Sequence, residues 1–240
     1  ILKLFMIIDG PLIAATFIER PNRFITIVEI NGKFYRSHLP DPGRLKELLV
    51  PKAKLMVRPA PKDSGRKTSF STVMVEYRGQ LISLVSTLPN MFVHNALKEE
   101  QIPILSPYTL IRPEIAVKNH RFDFLLKDED ENKFYLEVKS VTFVENGVAQ
   151  FPDAVTKRGM DHAKALTDLV NQGYQAGILF VCQRPDAVSF EPMWERDPKF
   201  SNALNEAYKS GVKVWCITLN ISKTEISYKQ EIPVNLKRSE

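Results

Sequence analysis

The chain has 240 residues, 44% of them apolar and 25% charged, and a net charge of +5. That is the composition of a soluble globular protein, long enough for one large domain or two small ones with a proper core. Its two cysteines exclude a disulfide framework or zinc cluster, and no apolar run approaches the ~20 residues of a membrane span.

The charge is unevenly spread. Residues 1–90 hold 14 Lys and Arg against 7 Asp and Glu, a local +7, whereas residues 91–240 hold 19 against 21, a local −2. A basic front points to an anionic partner, although a merely solvated surface gives the same numbers. LKLFMII at the start lacks a signal-peptide layout and reads as a first strand. ATFIER, FITIVEI, KFYRSHL, KLMVRPA, STVMVEY and QLISLVS follow, separated by turn chemistry such as RPN, NG and PDPG. Short strands without a long helix predict a small OB-like β-barrel over 1–88, a fold that offers a strand face and loops to nucleic acid.

The texture changes after Thr87. LPNMFVHNALKEEQIP starts after a proline, carries Met91, Val93, Ala96 and Leu97 at helical spacing and stops at Pro103. Strands TLIRPEIAV, RFDFLL and FYLEVKSVTFV come next. A helix over about 154–171, strand GILFVCQ, a helix within FSNALNEAYKSG and strand VKVWCITLNI complete the order. This predicts an α+β second domain over 89–240, a mixed sheet flanked by helices. Cys182 and Cys216 end apolar runs, as small buried hydrophobes do, and fit a reducing cytoplasm.

RFDFLLKDEDENKFYLEVKS, residues 121–140, is a hairpin with an unusual charge pattern. Alternation puts Phe122, Phe124 and Leu126 on one face of the first strand, and Leu136 and Val138 on one face of the second. Asp123, Glu137 and Lys139 then share the opposite face. Symmetric pairing about Asp130 sets Asp123 against Glu137, which is destabilising, while a slip of two residues sets it against Lys139. An exposed salt bridge explains the pattern. So does a Mg²⁺ or Mn²⁺ site, with Asp123 and Glu137 as oxygen ligands, Glu114 within reach and Lys139 beside an attacking water. In the following helix Val155, Met160, Ala163, Leu166 and Val170 form the apolar face, with Arg158 and His162 at its edge. A partly buried Arg158 needs an anionic partner, either a hairpin carboxylate or a phosphate.

An acid on one strand and Glu-x-Lys on the next, within α-β-β-β-α-β, resembles the restriction-endonuclease-like PD-(D/E)XK nucleases. RFDFLL, YLEVKSVT and FPDAVTKRGMDHAKAL are similar to strings of the sugar fermentation stimulation protein A (SfsA) family, and the likeness spans essentially the whole chain. The resemblance implies DNA binding, an N-terminal OB-like domain, a nuclease-like C-terminal domain and a link to maltose metabolism. SHLPDPGRL, residues 37–45, is similar to the family's His-x-Pro-Asn-x-Gly stretch, but Asp41 replaces Asn and Pro42 replaces Thr. Asp41 argues against a simple phosphate cradle around His38 and for a rigid turn. Arg44, Arg58, Arg66 and Lys67 are the candidates for backbone phosphates, and His38 joins them as a nucleic-acid-binding candidate. Two functions stand open. One is a divalent-metal nuclease in which Asp123, Glu137, Lys139, Arg158 and His162 act, on DNA or RNA. The other is a non-catalytic DNA-binding regulator on the same scaffold.

Overall fold

A computed structural model describes residues 5–61, 65–99 and 102–238. In chain order the first elements are β1 (Phe5–Ile7), β2 (Ile13–Asn22), β3 (Ile25–Ile30), β4 (Lys33–His38), β5 (Lys54–Pro59), β6 (Phe70–Tyr77) and β7 (Gln80–Ser83). Then come α1 (Leu88–Lys98), β8 (Thr109–Val117), β9 (His120–Lys127), β10 (Lys133–Val141), β11 (Val144–Glu145) and β12 (Val148–Phe151). The chain continues through α2 (Lys157–Asn171), β13 (Gln175–Cys182), β14 (Ser189–Pro192), α3 (Pro198–Lys209), β15 (Lys213–Ile221) and β16 (Glu225–Ile232). No helix among the described residues is long and apolar enough to cross a membrane.

Strands β2 to β7 form one sheet in the order β4-β3-β2-β5-β6-β7, and a parallel β4–β6 pairing closes five of them into a barrel. This is the OB arrangement. Its core is Phe17, Val28, Leu39, Leu55, Val57, Val75 and Ile82. The β3–β4 turn is Asn31-Gly32 with φ of 51° and 75°, the left-handed pair that matches the strand twist.

The larger sheet runs β1-β16-β15-β13-β10-β9-β8, with β10, β13 and β15 parallel. Here the α+β expectation holds, with one correction to its boundary. Residues 1–88 do not all belong to the barrel side: Phe5–Ile7 pair antiparallel with Glu225–Ser227 at the far edge of this sheet. Strand β16 and the small sheet β11-β12-β14 had no expectation in sequence.

Helix α1 lays Leu88, Phe92, Val93, Ala96 and Leu97 on one face of this sheet, while Met91, expected there, is exposed. Helix α2 lays His162, Ala163, Leu166 and Leu169 on the other, and Val155, also expected to pack, precedes the helix and is exposed. Both faces of β9 and β10 are therefore covered. Phe124, Leu126, Leu136 and Val138 pack with α1, but Phe122 packs on the α2 side with Leu125 and Tyr135. A simple two-faced hairpin does not describe these strands, because central strands of such a sheet are buried on both sides. Cys182 and Cys216 are buried free thiols, as expected.

Candidate active site at the β9–β10 hairpin

The hairpin adopts the symmetric register. Lys133 pairs with Lys127, and Leu136 pairs with Phe124. Asp128 fixes it: its Oδ1 accepts the backbone N–H groups of Asp130 and Asn132. Its Oδ2 takes Gln175 Nε2, which ties the turn to the neighbouring strand.

The ladder stops at Phe124, one residue short of the expected clash. Asp123 then substitutes for a backbone acceptor: its Oδ2 takes the Val138 N–H at 2.7 Å. Asn90, on the first turn of α1, donates Nδ2 to Asp123 Oδ1 at 2.5 Å. Sequence reading missed Asn90. The only signal was a polar residue at the start of an otherwise apolar helix face.

Glu137 is 3% exposed. Its Oε1 accepts from Lys139 Nζ and lies 2.6 Å from His162 Nδ1. Its Oε2 is buried and has no hydrogen-bond partner among the described residues. Burial opposes Glu137 ionisation, yet the His162 hydrogen bond and the Lys139 charge hold its pKa below the ordinary value. Asp123 goes the other way. Burial first, and then the Glu137 charge, push its carboxyl up to about 6.

Asp123, Glu137, Lys139 and His162 thus come together as expected. Arg158 and Glu114 do not. Arg158 lies on the exposed first turn of α2 and has no hydrogen-bond or ion-pair partner among the described residues. The helix starts at Lys157, later than expected, after the N-cap Thr156, whose hydroxyl takes the Gly159 N–H. Glu114 is exposed on edge strand β8, at φ 50°, and pairs with Arg121 at 3.6 Å.

The basic candidates of the barrel split into two groups. His38 and Arg58 both neighbour Ser71 on β6, one from each side. Burial, then the nearby Arg66 charge, lowers the His38 pKa. Arg58 Nε is tied to the Asp9 carbonyl at 2.9 Å, while Arg66 and Lys67 are exposed. Arg44 lies apart, on the loop facing the second domain, where it lines a cleft with Trp194 and Arg196. Asp41 is buried, and its Oδ1 accepts the Gly43 N–H at 2.8 Å. That geometry is the rigid turn, not a phosphate cradle.

Among the described residues no three His, Cys, Asp or Glu side chains converge as a ready-made metal cage. The donor set still fits a hard divalent cation. Two carboxylates meet here, one with a buried unpartnered oxygen and one reluctant to ionise beside it, and Mg²⁺ keeps several waters of its own.

A closed OB barrel, joined to an αβββαβ sheet whose splayed hairpin gathers acid, Glu-x-Lys and histidine, defines an OB-coupled protein of the restriction-endonuclease-like class. Residues 18–84 match the SfsA N-terminal OB domain, and residues 87–225 match the sugar fermentation stimulation protein RE domain. The sugar fermentation stimulation protein homolog of Desulforamulus reducens is 39% identical over 225 residues, covering 94% of this chain and 93% of that one. The homolog of Clostridium botulinum is 41% identical over 221 residues, covering 92% and 95%. The solved structure of Pyrococcus furiosus SfsA in complex with Ca²⁺ superposes with a TM-score of 0.87 at 29% identity, covering 98% of this chain and all of that one. The chain belongs to the sugar fermentation stimulation protein (SfsA) family.

Proposed function

We propose that this protein binds DNA through the basic barrel and hydrolyses phosphodiesters at the hairpin with Mg²⁺ or Mn²⁺. One observation carries the reading: Glu137 Oε2 is buried without a hydrogen-bond partner among the described residues, beside an Asp123 carboxyl whose ionisation is costly. An unpaired buried carboxylate oxygen costs free energy that a bound cation returns. Asp123 and Glu137 would hold the metal, whose role is to polarise the phosphate and lower the pKa of bound water. The Ca²⁺ found with the Pyrococcus furiosus relative supports an oxygen-ligand site, since Ca²⁺ and Mg²⁺ share that preference.

Lys139, 14% exposed at its side chain, orients the attacking water and meets the negative charge that grows on the phosphoryl oxygens. His162 is a positioning residue: it holds Glu137 by Oε1 and leaves Oε2 free. Arg58, Arg66, Lys67 and His38 at one end of the barrel contact backbone phosphate, a role supported by the local +7.

The test is incubation with labelled single- and double-stranded DNA and RNA in Mg²⁺, Mn²⁺ or EDTA. Metal-dependent cleavage is expected. A second reading, a non-catalytic DNA-binding regulator, draws on Lys139 and His162 both engaging Glu137 Oε1, which leaves no side chain of the group unpartnered as a whole. Binding without cleavage under every condition selects it.

A further inference from the structure

Between the barrel and the large sheet lies a cleft of about 330 Å³. Arg23, Ser86, Ser140, Thr142, Val155 and Thr156 are among its lining residues. Its wall includes Ser140, the residue after Lys139 on β10, and Ser86, four residues before Asn90, so in sequence it borders the strand and helix that carry the hairpin site. Its width is fixed. Asp153 Oδ2 accepts the Leu45 N–H at 3.0 Å, bridging the two halves, and Asp153 Oδ1 pairs with Arg196 at 2.9 Å. A Cβ on Gly43 would come within 2.9 Å of Asp41 Oδ1 and 3.0 Å of Asp153 Oδ2, so a larger residue there would push on both carboxylates that hold the loop.

The barrel lip is fixed too. Arg20 donates to the carbonyls of Arg23, Asp41 and Arg44, stapling the β2–β3 hairpin tip to the 41–44 loop. At that tip Phe24 is 44% exposed, and the Arg23 guanidinium lies 5.0 Å above its ring. Phe24, next to the lining residue Arg23, thus offers an exposed ring face of the kind on which nucleic-acid bases stack. On the other lip Val155 is 70% exposed, and the next residues past Thr156, Lys157 and Arg158, are exposed cations. The acids of the cleft are engaged internally, Asp41 by Gly43 and Asp153 by Arg196 and Leu45. Charge open to a ligand is positive.

We infer that this cleft takes a single nucleic-acid strand, one base stacked on Phe24 and its phosphates running between Arg23 and the Lys157–Arg158 turn towards Lys139. The volume lies at the low end of the ~300–1,000 Å³ range of small-ligand pockets, room for a nucleotide unit and not for a duplex. An intact duplex offers Phe24 no base face, because its bases stack on one another. The substrate is therefore single-stranded, or a duplex end opened into one strand. This rests on the nuclease reading and deepens it, and it gives the exposed Arg158 a phosphate to meet.

Binding of a fluorescent oligo(dT) and of a blunt duplex of equal length, measured by anisotropy in EDTA, tests it without any need for cleavage. Phe24→Ala should weaken oligo(dT) binding about tenfold, the size of one lost stacking contact, and leave duplex binding within twofold. Phe24→Trp should restore it. Equal losses on both probes, or no loss on either, overturn the inference while leaving the nuclease reading intact. A wild-type protein that binds neither probe overturns both.

Discussion

The barrel core and the β9–β10 hairpin bury polar groups in different ways. Inside the barrel three hydroxyls meet where β3, β4 and β6 close: Thr26 Oγ1 and Ser37 Oγ each lie 2.8 Å from Thr72 Oγ1. All three residues are fully buried, neutral and satisfied. At the hairpin the buried groups are ionisable, the strand ladder breaks where they sit, and Glu137 Oε2 has no hydrogen-bond partner among the described residues. A satisfied network holds a fold together, whereas a buried carboxylate without a partner for one oxygen, beside a second carboxylate, is a candidate place for a ligand.

The sharpest break between the halves lies at Lys139. Lys139→Ala should lower cleavage by about 10²–10⁴-fold, while affinity for DNA stays near wild type because the barrel supplies it. Loss of affinity in step with cleavage, read by anisotropy beside a gel assay, would mean that the halves are not separable in this way.

Asp123 comes next. Its carboxyl is raised in the folded state, so the proton stabilises the apo fold: that contribution is fully present below the ordinary carboxylate pKa and lost as pH rises through about 6. In EDTA the wild type should lose on the order of 1–3 kcal/mol between about pH 4 and 6 relative to Asp123→Asn. At pH 8 the variant should be the more stable of the two by thermal unfolding. Millimolar Mg²⁺ or Mn²⁺ should raise the melting temperature of the wild type alone, and less so below pH 6. A wild type indifferent to both metals at pH 8 would sink the metal site.

For the barrel the expectation inverts. Thr72→Val leaves the Ser37 hydroxyl without its partner and should cost about 1–3 kcal/mol, with cleavage per folded molecule unchanged. Replacing Thr26, Ser37 and Thr72 together by apolar residues of similar shape should cost less than Thr72→Val alone. Denaturant unfolding of the two variants decides whether the triad is a packing device.

The hairpin side of this contrast was legible in sequence, the hydroxyl triad was not, and the illegible part has physical reasons. The β3–β4 hairpin followed from turn chemistry, since Asn31-Gly32 dictates its own turn, but the strand order and closure of the barrel did not. Asp123, Glu137 and Lys139 were visible as charges inside apolar strands. Their register was not, because it depends on Asp128 organising a five-residue turn and reaching Gln175 across the sheet. Arg158 was misplaced because helical periodicity was extended back to residue 154, past the N-cap at Thr156, and the first turn escapes the burial that periodicity implies. Glu114 lay on an edge strand whose left-handed residue turns the side chain to Arg121. Long-range partners of this kind leave no local pattern.

Asn90 is the smallest test and the one that joins the halves, because α1 follows directly from the last barrel strand. Its Nδ2 holds Asp123 Oδ1, and so it fixes the direction of a carboxylate that is already costly to ionise. Removing that hydrogen bond takes away one of the interactions that favour the charged form, so the Asp123 carboxyl should titrate still higher. The ligand is then less often ionised and less well aimed. Asn90→Ala should weaken Mn²⁺ binding about tenfold, the low end for a residue that orients a metal ligand. Asn90→Asp puts a third carboxylate beside two others; in EDTA it should lower the melting temperature, and added Mn²⁺ should reverse the loss. Calorimetry of Mn²⁺ binding separates this from a purely structural role, which would shift melting in both variants and leave metal affinity unchanged.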